Sequence, residues 1–163
     1  MTPFCLLTCM SYGLRMTTSD VTAPDPATIV AYIRETYPET DILESGGTWF
    51  FSFDPERHFP NYATIVTNND YDDGSDLDRE GVFRLNLGLT RETFERLVGD
   101  QIDGPSAPDY AALDTLLPHP TYAAQLWVSI LNPSSTTWRD VVIALIAEAH
   151  DRLAAQRARH GLG

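Results

Sequence analysis

Apolar residues recur along the chain with two different periods, and the switches between them mark its elements. Ile29, Tyr32, Ile33 and Thr36 fall at helical spacing behind Asp25-Pro26, an N-cap carboxylate followed by proline at the first helical position, and Pro38 ends the helix. Beyond Gly46-Gly47 the pattern changes to Thr48-Trp49-Phe50-Phe51-Ser52-Phe53, a β-branched and aromatic run closed by Asp54-Pro55, which predicts a strand. Tyr62–Thr67 predicts a second strand. In Val82–Leu87, Phe83, Leu85 and Leu87 alternate with Arg84 and Asn86, so a third strand presents an apolar face and a polar one.

Between the second and third strands, Asn68–Gly81 is polar and rich in Asp, and reads as a long exposed loop or hairpin tip. Thr90 caps a short helix carrying Phe94, Leu97 and Val98, with Gly99 as its expected end. Residues 100–109 are loop-like, and 110–117 are helical or irregular. Pro118-His119-Pro120 must be extended or turning, because the residue before a proline is pushed out of the α region. Leu126–Leu131 predicts a fourth strand, broken by Asn132-Pro133. Thr137 and Asp140 then resemble a capping box for a final helix whose buried stripe is Val141, Val142, Leu145, Ile146, Ala149 and Leu153.

This order lacks the regular strand–helix alternation of a parallel sheet. It predicts an α+β, two-layer domain in which an antiparallel sheet of about four to five strands packs on the N- and C-terminal helices. The domain spans 25–158, preceded by an extension over 1–24 that is expected to be flexible and followed by a frayed tail over 159–163.

Charge narrows the function. Eleven basic residues face 23 acidic ones, for a formal charge of -12, which argues against a nucleic-acid backbone or an anionic membrane as partner. No lysine occurs, which removes Schiff-base chemistry and a phosphate-loop lysine. Cys5 and Cys9 lie together near the start with nothing elsewhere to pair with, which fits a reducing compartment and a cytoplasmic location. No stretch is long enough to span a bilayer as a helix.

Candidate chemistry is sparse. A calcium reading of the acidic loop places Asn69, Asp73, Gly74 and Glu80 at positions one, five, six and twelve of a hand-type loop, but Tyr71 occupies the third position and the flanks read as strands, so no metal site is expected. No dinucleotide, phosphate-loop or nucleophile-elbow pattern is present, and no cofactor is expected. His119 is braced by two prolines with Tyr122 close behind, which suits an imidazole held in a fixed direction as a ligand contact or as a general acid or base paired with Asp72. Arg84 and Asn86 share one strand face, where a guanidinium fork and an amide can grip an anionic or polar group. If that face is covered, Arg84 needs an acidic partner such as Asp72 or Asp70. His150 and His160 read as surface residues.

Trp49–Asp54, Ala63–Thr67 with Asp70-Tyr71-Asp72, Gly81–Asn86, His119-Pro120, Trp127-Val128 and Leu131-Asn132-Pro133 together resemble an actinobacterial family of unknown function, family 6194, over nearly the whole chain after residue 24. More remotely, the final strand with its tryptophan, the Asn-Pro turn and the closing helix are similar to the MmcQ/YjbR group. That likeness implies a frataxin-like α+β layer and a DNA-binding label, which the charge of -12 opposes.

The leading expectation is a small-molecule pocket on one sheet face, lined by Arg84, Asn86, Trp49, Phe51, Tyr122 and Trp127 and closed by the loops carrying His58 and His119, with Arg84 holding an anionic group. The alternatives are a metal-free acid/base enzyme of isomerase, cyclase or hydrolase type using His119, and an acidic module docking a basic partner or forming a homodimer.

Overall fold

A computed structural model describes residues 22–161; the first 21 residues of the predicted 1–24 extension, with its two cysteines, lie outside them. The architecture is α+β. Six strands, β1 (Asp41–Ser45), β2 (Thr48–Ser52), β3 (Asn61–Val66), β4 (Arg84–Gly88), β5 (Leu117–Pro118) and β6 (Trp127–Leu131), form one antiparallel sheet in the order β1-β2-β3-β4-β6-β5.

Two of these strands are additional to the four read from the sequence. The missed β1 pairs with β2 through Gly46-Gly47, whose positive φ values of 59° and 79° suit a two-residue hairpin turn, and a side chain at position 47 would strike Thr67. The missed β5 is a two-residue edge whose Pro118 has no N–H to offer a further strand.

Helix α1 (Pro26–Thr36) starts as expected, with Asp25 accepting from the Thr28 N–H at 2.8 Å. Helix α2 (Arg91–Ile102) is capped by Thr90 and runs through Gly99, because Phe94 and Val98 hold it in the core. The final helical stretch is capped by Ser134, not by the predicted Thr137 box: Ser134 Oγ accepts from the Thr137 N–H at 3.2 Å. It comprises a first turn, α3 (Ser135–Thr137), a π-helical turn over Trp138–Val142, and α4 (Ile143–Arg159), which extends one residue into the predicted tail.

One sheet face carries the main core. Phe51, Ala63, Ile65, Leu85, Leu87, Val128 and Ile130 pack with Ile29 and Ile33 of α1 and with Ile146, Ala149 and Leu153 of α4. Removing that apolar area from water is the principal drive for folding. Strand β4 is buried along its whole length, so its other face, bearing Arg84 and Asn86, is covered as well.

Part of that cover comes from the Asp-rich loop, which departs from the solvated tip its composition suggests. Leu77 is buried with Val66 and Leu131, its N–H bonds Asn69 Oδ1 at 2.9 Å, and Ser75 is fully buried. His150 also departs from expectation: it is buried against Tyr37, Phe53 and Tyr62, and its ring nitrogens meet Glu39 at 2.6 Å and Asp151 at 2.9 Å.

Candidate functional site

Alternation along the strands builds the site. Thr48, Phe50, Thr64, Val66, Arg84 and Asn86 lie on the sheet face opposite the core, in cross-strand rows: Thr48–Val66–Arg84 and Phe50–Thr64–Asn86–Ser129. Over them opens a cavity of about 560 Å³, a size that suits a small organic molecule. Its walls are the Asp-rich loop, the Phe59-Pro60 turn, the His119–Gln125 segment and the C-terminal half of α4.

Arg84 is 1% exposed and is held from the acidic loop. Its Nη1 and Nη2 donate to the two carboxylate oxygens of Asp72 at 2.9 and 2.6 Å, and Nη1 also reaches Ser75 Oγ at 2.8 Å. The fork-on-fork pair supplies the partner a buried guanidinium requires, and its hydrogen bonds hold the Asp72 carboxyl below the usual range. Arg84 is therefore committed to Asp72 instead of offering its fork to an outside anion, a departure from its expected role.

His119 is buried beside this pair, and its Nδ1 accepts from the backbone N–H groups of Thr121 and Tyr122 at 3.0 and 3.1 Å. A nitrogen that accepts two such bonds carries no proton, so the neutral ring bears its proton on Nε2. Burial, reinforced by the nearby Arg84 charge and opposed by Asp72, pushes the imidazole down to about 4.

Polar atoms without partners cluster here. Among the described residues, Thr48 Oγ1, Asn61 Oδ1, Arg84 Nε, Asn86 Oδ1 and Ser129 Oγ are buried and unpaired; the first four belong to residues lining the cavity, and Ser129 faces Asn86 across β6. Asn86 Nδ2 donates to Thr64 Oγ1 at 3.0 Å, and whichever way the amide is turned, one of its polar ends lacks a partner. Each such group costs roughly 1–3 kcal/mol. Around the mouth the chemistry reverses: Phe59, Tyr71 and Tyr122 all border the cavity and are 69%, 61% and 52% exposed.

Of the residues expected at a site, Asp72, Arg84, Asn86, His119, Tyr122 and Trp127 come together in this cavity. Trp49 and Phe51 do not. They stand on the opposite strand face and pack into the core, one residue out of phase with Thr48 and Phe50. His58 is also outside, its Nδ1 2.7 Å from Asp41 Oδ2 beyond the cavity lining. Sequence reasoning missed Arg152, whose Nε donates to Gly88 O at 3.0 Å. Its signal was an arginine at helical spacing from buried Leu145 and Ala149.

Among the described residues, no group of three or more His, Cys, Asp and Glu side chains is placed to hold a metal, and no helix is long and apolar enough to cross a membrane.

Fold and cavity define a class: an antiparallel α+β domain with a chamber of polar floor and aromatic mouth on the sheet face away from its main core. The chain belongs to the family described as "Family of unknown function (DUF6194)", whose model matches residues 24–161. No curated protein and no solved structure gives a significant match.

Proposed function

We propose that this domain binds a small, amphipathic organic molecule in the sheet-face cavity, its polar part on the floor formed by Asn86, Thr48 and Arg84 Nε and its apolar part against the aromatic mouth. One observation carries the reading: unpaired buried polar atoms and exposed aromatic rings converge on a single chamber. Either feature alone lowers stability or solubility, and a ligand that pairs the first and covers the second offsets both.

In this reading His119 orients the ligand as a hydrogen-bond donor through Nε2. A general base needs a free lone pair at the pocket. For His119 to present one, the proton would have to move to Nδ1 and both backbone contacts would be lost. The acid/base enzyme alternative therefore has less support than binding. The expected resemblance to the MmcQ/YjbR group has no support from the comparisons and adds no activity to this reading.

The test is a fragment screen by protein-observed NMR. Hits should move the side-chain amide signals of Asn86 and the indole N–H of Trp127 more than signals from the opposite sheet face. Hits that map elsewhere, or no hit among several hundred polar aromatic fragments at millimolar concentration, would overturn the proposal.

A further inference from the structure

The chamber holds two arginines, and their electrostatic situations differ. Arg84 is neutralised by Asp72. Arg152 lines the same chamber but forms no ion pair among the described residues, and its sole hydrogen bond there runs from Nε to Gly88 O at 3.0 Å. That bond uses one edge of the guanidinium and leaves the Nη1/Nη2 end free to donate. Glu148, whose charge reaches Arg152, has its oxygens engaged elsewhere: Oε1 accepts from the Thr90 N–H and hydroxyl at 2.9 and 2.8 Å, and Oε2 from the Thr93 hydroxyl at 2.9 Å. Partial burial depresses Arg152's affinity for its proton, and the charge of Glu148 only partly opposes that effect.

The seat for this guanidinium is built into β4. A Cβ on Gly88 would lie 2.6 Å from Arg152 Nη2 and 3.2 Å from Trp127 Cε2, so the side chains of α4 and β6 close over bare backbone at that point. Arg152 is thereby fixed at the Trp127 end of the chamber, with Asn86 two residues along the strand from its seat.

From this arrangement we infer that the ligand is a small organic monoanion, a carboxylate held end-on by Arg152, with a flat apolar body lying against Trp127 and Tyr122 and a polar substituent facing Asn86. The inference rests on the pocket reading above and adds the charge and the orientation of its occupant. Among the described residues Arg152 is the one cation of the chamber without an ion pair, which matches one negative charge in a chain of net charge -12; a phosphate dianion would leave a second charge unpaired. Arg152, not Arg84, is the anion-holding residue.

Matched acid and amide probes test this: phenylacetate against phenylacetamide, and indole-3-acetate against indole-3-acetamide, titrated by NMR into wild type and into the Arg152→Gln, Arg152→Lys and Gly88→Ala variants. The acids should bind wild type about tenfold or more tightly than their amides. That preference should vanish in Arg152→Gln, return in part in Arg152→Lys, and weaken in Gly88→Ala, where the added methyl displaces the Arg152 guanidinium and crowds the Trp127 ring. Equal binding of acids and amides, unaffected by Arg152→Gln, would overturn the anion assignment while leaving the pocket intact. Absence of binding by all four probes would overturn the anion assignment; the separate fragment screen then decides the fate of the pocket. Thermal melts of each variant confirm that the comparison is made on folded protein.

Discussion

Strand β4 separates two interiors that share a backbone and differ in kind. On one side Leu85 and Leu87 sit fully buried in a continuous apolar core; on the other Arg84 and Asn86 are equally sealed from water but retain polar atoms that nothing pairs. The first side is complete without a guest. The second is arranged at a cost in stability, and such a cost is expected where geometry serves recognition.

The comparison can be broken hardest at Asp72. Asp72→Ala strands a guanidinium that is 1% exposed, whereas Arg84→Met leaves a carboxylate that is 20% exposed and able to turn to solvent. The first should cost about 3–5 kcal/mol, as much as cutting Leu85 to Ala on the core side, and the second clearly less. Urea denaturation of the three variants checks the ranking, and the double variant Asp72→Ala/Arg84→Met should recover part of the loss.

A pH series sharpens the contrast next. His119 lies below its ordinary value of 6.5, at about 4. The unfolded chain therefore takes up a proton at this site near pH 6.5 while the folded chain resists until about pH 4. Its contribution is complete above pH 6.5 and drains away as pH falls to about 4, on the order of 3 kcal/mol in all. His119→Leu should flatten the fall in stability across that window, since the other histidines contribute alike to both proteins. Identical slopes would mean that the ring is not held neutral.

The smallest effect is the most diagnostic. Asn86→Leu replaces a half-satisfied amide with a side chain of similar volume on a buried face, so the unliganded protein should change by no more than about 1 kcal/mol, with a gain allowed, while fragment binding is lost. A loss of several kcal/mol would show that this face is a second core, not a site.

Most of the sheet was legible in the chain because strands with one apolar face announce themselves by alternation, as Phe83, Leu85 and Leu87 do. The segment Asp41–Ser45 has a less regular pattern, and Leu117–Pro118 is too short to carry a period, so both strands went unseen. The partnership of Arg84 with Asp72 followed from burial alone: a sealed guanidinium requires an acid, and the Asp-rich loop was the nearest source. The aromatic wall was misassigned by one position, because in Thr48-Trp49-Phe50-Phe51 both faces carry rings and composition does not fix which parity turns inward. Arg152 was missed for a different reason. Helical spacing from Leu145 and Ala149 marks its side of α4, but the backbone it meets, Gly88, is 64 residues away and spacing does not name it.

The meeting of Arg152 with Gly88 has a cause upstream. The π-helical turn at Trp138–Val142 admits about one extra residue into the helix, and each added residue rotates everything after it by about 100°. Without the wide turn, the azimuth that aims Arg152 at Gly88 would point elsewhere. The angular setting of the Arg152 guanidinium is thus geared to a winding irregularity in the preceding turns of the same rod.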